Sequence, residues 1–262
     1  MRIWSETFFG ILLCAQPFAA FAQEQDPHEA QPERPTVATH AGTVAPAWVE
    51  VEAGGEFDNY RDPSNSIGVP VVVKLGLSSH LQFSIFSSAV QPSGVKGLQF
   101  GDLAFGIKWR LIDDFPVLGR FAILPGIKLP TGPTASGAGT GTVDESMLLI
   151  SSNEFGPISL DVNFGYTHRS GDGAAAPENS TLWTVSFGGP AKGAFGWAAE
   201  VYGYPGTQGD AGKPPIVAAL FGHTFTAQPW LVFDLGVIAS ITGPQPYAIY
   251  CGCVWNIGSI CK

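Results

Sequence analysis

From Trp48 onward, apolar and polar residues alternate over stretches of about 8 to 11 residues, again and again, the pattern of a strand with one apolar and one polar face. In 101–111, Leu103, Phe105, Ile107, Trp109 and Leu111 share one face, while Asp102, Ala104, Gly106, Lys108 and Arg110 share the other. Segment 158–168 sets Ile158, Leu160, Val162, Phe164 and Tyr166 against Ser159, Asp161, Asn163, Gly165 and Thr167. Segment 230–240 sets Leu231, Phe233, Leu235, Val237 and Ala239 against Trp230, Asp234, Gly236 and Ser240. Looser repeats fall at 48–57, 69–77, 81–90, 120–129, 181–188, 195–204, 215–225 and 247–257. With 143–152, whose parity the sequence leaves open, the count is about twelve, within the even-numbered range of membrane barrels.

Alternation alone is shared by soluble sandwiches and membrane barrels, and strand length separates them. Sandwich strands run to five or six residues, whereas strands that cross a bilayer need about 9–11. These segments are of the longer kind. Hydrophobic residues make up 45% of the chain and charged residues only 13%, yet no apolar run reaches the roughly 20 residues of a membrane helix. The 33 glycines and 12% aromatics favour turns and pleated surfaces. The polar faces carry mid-strand charges: Glu50, Glu52, Lys74, Asp102, Lys108, Arg110, Lys128, Asp161, Glu200 and Asp234. A wet barrel interior accommodates such charges without a burial penalty, so these ten are the candidate lumen-lining residues. The expected fold is all-β, a transmembrane antiparallel up-and-down β-barrel of about 12 strands.

Connection lengths support the same reading. Short inner turns are expected at 78–80, 112–119, 153–157, 189–194 and 226–229, and longer outer loops at 58–68, 91–99, 130–142, 169–180, 205–214 and 241–246. Aromatic residues near strand ends, Trp48, Phe57, Trp183, Trp230, Tyr247 and Trp255 among them, suit interfacial girdles. Pro70 and Pro125 each remove a ladder donor inside a proposed strand, which predicts bulges or strand ends there. The chain closes on Gly258-Ser259-Ile260-Cys261-Lys262, so Trp255 is a candidate end for the last strand.

The N-terminus has the pattern of a secretory signal: Arg2, an apolar stretch from Phe8 to Ala15, Pro17, and Ala20-Phe21-Ala22 as a small-x-small cleavage site. The expected organisation is a signal peptide over 1–22, an extended periplasmic lead-in over 23–46 that is polar and proline-rich, and the barrel over 47–262. Cleavage removes one Arg and one Glu and leaves the net charge at −9. That acidity argues against a nucleic-acid partner, since phosphate binding needs a basic surface. Cys251, Cys253 and Cys261 would remain, without metal-site spacing. They are read as two small side chains on one strand face and a third near the terminus.

Arg34-Pro35-Thr36, Val51-Glu52-Ala53-Gly54, the run Gly101-Asp102-Leu103-Ala104-Phe105-Gly106-Ile107-Lys108-Trp109-Arg110, and Gly126-Ile127-Lys128-Leu129-Pro130-Thr131-Gly132 together resemble the outer-membrane transporter-like family named for the meta-pathway of phenol degradation. The resemblance covers nearly the whole mature chain, and the GDL and KLPTG stretches are its most specific parts. It implies an outer-membrane channel in a Gram-negative bacterium for passive passage of small aromatic or hydrophobic compounds, and it carries no binding residues. The partners expected are the lipid bilayer, a small-molecule solute and the outer-membrane assembly machinery, with no cofactor and no metal.

The ten charges fit opposed signs across a pore constriction, and equally a salt-bridged interior that only stabilises the barrel. A rival class is an outer-membrane lipid hydrolase built on His168 and Ser170, since His168-Arg169-Ser170 resembles the His-x-Ser of the outer-membrane phospholipase. Against it, His168 is read as facing the lumen, and Asn179 is the only nearby amide able to orient it. His223 has the outward parity but no serine on its strand. No catalytic residue is therefore assigned. The glycine-rich 132–142 lacks the GK[ST] ending of a phosphate loop and reads as an outer loop. His28, His40 and His80 are isolated. A structural or adhesive barrel without transport is the remaining alternative.

Overall fold

The computed structural model describes residues 26–59, 65–91, 96–170, 178–204, 215–243 and 247–261. The proposed signal peptide lies outside them. The strands in chain order are β1 (Trp48–Asn59), β2 (Ser66–Ser78), β3 (Leu81–Gln91), β4 (Gln99–Phe100), β5 (Leu103–Ile112), β6 (Arg120–Leu129), β7 (Val143–Phe155), β8 (Ile158–Ser170), β9 (Asn179–Pro190), β10 (Phe195–Tyr204), β11 (Ile216–Gln228), β12 (Leu231–Thr242) and β13 (Tyr247–Ser259). All strands pair antiparallel with their neighbours, the two-residue β4 with β3 alone, and β1 closes the sheet on β13 from Trp48↔Ser259 to Asn59↔Tyr247. Twelve long strands thus form a closed barrel with no free edge.

The parity read from the sequence holds along each wall. Ile107, Trp109, Val162, Phe164, Phe233 and Leu235 are exposed on the outside, with many others like them. Their inward neighbours Lys108, Asn163 and Asp234 are buried. A contiguous apolar exterior of this extent is a lipid-facing surface. Strand β7, whose parity was open, turns Asp144, Leu148, Ile150 and Ser152 inward and Met147 and Leu149 outward. Cys251 and Cys253 share the outward face of β13, and Cys261 is exposed beyond it.

Neither proline makes a bulge or ends a strand. Pro70 stays paired with Ser88 of β3 and Pro125 with Met147 of β7. On the other side each interrupts the ladder: pairing of β2 with β1 skips from Ala53↔Val71 to Glu56↔Gly68, and pairing of β6 with β5 from Gly106↔Gly126 to Trp109↔Ile123. A missing N–H removes one bond on one side only, and a closed sheet tolerates that. The last strand also runs past Trp255 to Ser259.

The start of β1, the end of β13 and the short turns share one end, with only Ser79–His80 between β2 and β3 and Pro229–Trp230 between β11 and β12. The longer 113–119 turn is clipped to its neighbour: Asp113 accepts from His80 Nε2 at 2.9 Å and from Arg110 Nε at 2.7 Å. The hydrogen bond from His80, followed by that from Arg110, holds the Asp113 carboxyl below the usual carboxylate range. Most of the outer loops expected at 58–68, 169–180, 205–214 and 241–246 fall outside the described residues; 130–142 is described and lies at the other end from the start of β1.

Candidate functional site

The largest departure from expectation is the lead-in. Residues 26–46, expected as an extended periplasmic segment, run inside the barrel instead. Ala30, Ala38, Ala41 and Val44 are buried, and each contacts wall positions far away in sequence. The segment enters beside the end of β13, where Asn256 Nδ2 donates to the carbonyls of Pro27 and Glu29 at 3.2 and 3.3 Å. It climbs to Val37, which packs on Tyr202, Leu220, Ile238 and Tyr250. It then descends to leave beside β2, where Ala47 N donates to Gly76 O at 2.8 Å.

The physical reason is hydrogen-bond accounting. A chain inside a barrel has no ladder, so each buried N–H needs a side-chain acceptor from the wall. Gln31 N donates to Glu50 Oε2 at 2.6 Å, and Glu33 N to Glu52 Oε1 at 2.8 Å. Val37 N and Ala38 N both donate to the Glu200 carboxylate at 2.7 Å. Thr39 N donates to Asn163 Oδ1 at 2.8 Å, and Asn163 Nδ2 returns a bond to Thr39 O at 2.9 Å. Ala41 N and Val44 N donate to Ser152 Oγ and Gln82 Oε1 at 2.8 and 2.9 Å. Pro27, Pro32, Pro35 and Pro46 present no N–H to satisfy. The proline content that suggested an exposed linker lowers the number of donors the wall must meet.

The charges complete the attachment. Arg34 forms a two-point bridge to Asp234, Nε–Oδ2 2.9 Å and Nη2–Oδ1 3.0 Å. Gly54 and Gly252 make room for it, because a β-carbon at either would overlap the guanidinium. Lys74 Nζ binds Glu50 at 2.8 Å, Glu52, and the carbonyl of Gln31 at 2.8 Å. Lys108 Nζ binds Glu33 and the carbonyls of His40 and Gly42 at 2.9 and 3.0 Å.

Of the ten candidate lumen residues, six therefore hold the internal segment: Glu50, Glu52, Lys74, Lys108, Glu200 and Asp234. They neither face one another across an open constriction nor pair only among themselves. Asp161 faces the lumen and accepts from Ser152 Oγ at 2.5 Å. Arg110 lies at the inner rim and donates to Ser79 O at 2.7 Å. Asp102 and Lys128 are at the opposite mouth. Sequence reasoning missed Arg34, Glu33 and Asn163; a complementary lead-in charge for an otherwise surplus Asp234 was the available signal.

At that mouth, the two most specific stretches of the family resemblance form one device. Asp102 accepts from Lys128 Nζ at 2.8 Å, Thr140 N at 2.8 Å and Gly132 N at 3.0 Å, and Leu103 N donates to Thr131 Oγ1 at 2.9 Å. The glycine-rich loop 130–142 is thereby fastened to β5 and β6. Asp102→Asn is expected to lose the charge-assisted bonds, at roughly 1–3 kcal/mol. Limited proteolysis checks this as a tenfold or greater rise in cleavage within 133–140, on the order of 1.4 kcal/mol per factor of ten.

The hydrolase candidate is altered on two counts. His168 shares the outward face of β8 with Tyr166, because a period of two from Phe164 places it there; it does not face the lumen. Its Nδ1 lies 3.0 Å from Asn179 Oδ1, to which Tyr166 OH also donates at 2.6 Å. Ser170 Oγ, however, donates to Val143 O at 2.9 Å, so its partner is a backbone carbonyl and not His168.

Above the internal segment, the described residues enclose two chambers among others of the lumen. The lower, of about 340 Å³, is floored by Glu33–Thr39. The upper, of about 370 Å³, lies against β5 to β10 near the mouth. Phe86, Leu124 and Leu148 line both and form an apolar sill between them.

No protein-family model and no curated protein matches the chain. Solved structures do. The COG4313 outer membrane channel from Pseudomonas putida F1 superposes with a TM-score of 0.64 at 9% identity, over 82% of this chain and 97% of that one. The KdgM porin gives 0.52 at 8% identity, over 79% and 99%, and the KdgM porin in complex with disordered oligogalacturonate gives 0.51 at 10% over the same shares. At these identities the likeness is one of fold. The chain is a closed β-barrel of the outer-membrane type, with an apolar, lipid-facing exterior.

Proposed function

We propose that the protein is an outer-membrane channel for passive passage of small molecules, whose inner half is closed at rest by its own N-terminal segment. The observation that carries this reading is how that half is filled. The segment is attached largely through polar bonds and ion pairs, each of which water can replace when the segment leaves, accompanied by small apolar side chains at Ala30, Val37, Ala38, Ala41 and Val44 and by ring contacts of His28 with Trp48 and Trp230. A barrel whose interior served stability alone would need no chambers of this size beside such a segment. The solute, by the resemblance to the phenol meta-pathway family, is a small aromatic or hydrophobic compound, and the barrel reaches its membrane through the outer-membrane assembly machinery. Proteoliposome flux tests the reading: entry of benzoate or arabinose above protein-free vesicles is expected, and no flux of any solute overturns it. Lipid hydrolysis is the weaker reading, because Ser170 is bonded to the Val143 carbonyl; any hydrolysis detected should vanish in His168→Ala.

A further inference from the structure

Arg34 is the one arginine or lysine of the internal segment, and the wall holds a slot that matches its shape. Asp234, Gly252 and Gly54 stand in one row across β12, β13 and β1, through the pairs Asp234↔Gly252 and Gly54↔Gly252. The carboxylate takes the guanidinium at two points, Nε–Oδ2 2.9 Å and Nη2–Oδ1 3.0 Å. A β-carbon at either glycine would overlap Arg34, so the row admits a flat group lying on the wall. Planarity and paired donors are what distinguish a guanidinium from an ammonium. Among the described residues Asp234 has no ion pair with the wall, whereas Glu50 and Glu52 have Lys74. The slot opens onto the lumen, since Arg34, Glu56 and Tyr250 line the lower chamber of about 340 Å³. Tyr250 is buried, and its hydroxyl has no hydrogen-bond partner among the described residues. It crowds the same point over Gly222 as Pro35, so it is uncovered when the segment leaves.

We infer that this slot is a binding site for guanidinium-bearing solutes, and that Arg34 occupies it in their place while the inner half is closed. The inference rests on the channel reading for passage, though not for binding. It names a charged head group, which a small aromatic or alkyl body can carry. The charge of the emptied lumen supports it independently. Glu50, Glu52, Asp161, Glu200 and Asp234 face the inner half against Lys74 and Lys108, an excess of three carboxylates. Departure of the segment removes Arg34 and leaves that excess in water, where rings of carboxylates favour cations. Such a surplus biases passage without barring the opposite sign, so benzoate still enters, less readily than arabinose. Shape then separates one cation from another. An ammonium is a compact point charge that meets the carboxylate without filling the slot, whereas a guanidinium engages both oxygens and lies flat on the two glycines.

The test uses methylguanidinium, with methylammonium as a cation of equal charge and different shape. Protein lacking residues 26–45 keeps the strand pairs that close the barrel, which begin at Trp48. Under a potassium chloride gradient it is expected to favour potassium over chloride by about fivefold or more. Methylguanidinium should reduce the potassium current at a concentration about tenfold below that of methylammonium, and Asp234→Asn should abolish the difference. In the full chain in nanodiscs, saturation-transfer difference NMR should show saturable methylguanidinium binding to Arg34→Ala. Binding should be about tenfold weaker or worse in the unaltered chain, where Arg34 fills the slot, and in Arg34→Ala with Asp234→Asn. The same comparison in the shortened protein, with and without Asp234→Asn, decides the matter if Arg34→Ala does not fold. An unselective or chloride-favouring current, equal action of the two cations, or absent binding in the vacated slot overturns the inference. Failure of the channel reading is distinguishable: the shortened protein then carries no current, while methylguanidinium still binds.

Discussion

Deleting residues 26–45 while keeping residues 1–25 is expected to raise ion conductance in planar bilayers on the order of tenfold or more, since a water-filled pore replaces a filled one. The deleted stretch occupies the inner half of the lumen, from the Pro27 and Glu29 carbonyls held by Asn256 to the Val44 amide held by Gln82. Barrel closure does not depend on it, because β1 pairs with β13 from Trp48↔Ser259. The side chains it leaves behind, Glu50, Glu52, Lys74, Lys108, Glu200 and Asp234, become hydrated, and a charge facing water carries no burial penalty. The shortened protein should therefore keep heat-modifiable migration on a gel while conducting. Conductance unchanged from the intact chain would mean that the segment does not close the path.

What the sequence made legible follows from which signal each feature leaves. The wall was readable because a lipid-facing surface forces period two on every strand: Leu103 to Leu111 and Ile158 to Tyr166 alternate without a break. The inward placement of Glu50, Lys74, Lys108 and Asp234 was readable for the same reason. Their purpose was not. An inward charge looks identical in sequence whether its partner is water, a charge across the lumen, or the backbone of another segment. The internal segment has no period of its own, since its bonds go to nine different strands and follow no helix or ladder. Prolines and a polar composition then imitate a linker. His168 illustrates a different failure: the face is fixed by Phe164 and Tyr166 four and two residues earlier, and the pattern was sufficient to place it outside.

The prolines show where local rules give way to closure. Pro125 reads as a break because an open sheet loses an edge bond there. In the barrel, β6 keeps Pro125↔Met147 on one side while β5 skips two pairs on the other. Eleven other strand interfaces still fix the register, so a local gap is absorbed without a bulge.

Lys74→Met should release the internal segment without unfolding the barrel. Lys74 is fully buried and is bonded to Glu50, Glu52 and the Gln31 carbonyl, with Glu33 4.0 Å away. Without its ammonium, the three carboxylates are left with Lys108, already bonded to Glu33 and to two carbonyls, and with Arg34, already bridged to Asp234. Removing one partner of a buried ion pair costs about 3–5 kcal/mol. In a closed core that penalty would appear as unfolding, but here departure of the segment admits water to all three carboxylates and leaves the strand ladder untouched. The expected readout is protease cleavage of the segment from the inner side, with the released population up by roughly two orders of magnitude or more. Conductance should rise with it, and heat-modifiable migration should persist. Adding Glu52→Gln removes one of the stranded charges while keeping an acceptor for Glu33 N, and should restore much of the protection. If Lys74→Met instead abolishes heat-modifiable migration, the cluster belongs to the stability of the wall; if it leaves both cleavage and conductance unchanged, the ion pairs do not hold the segment in place.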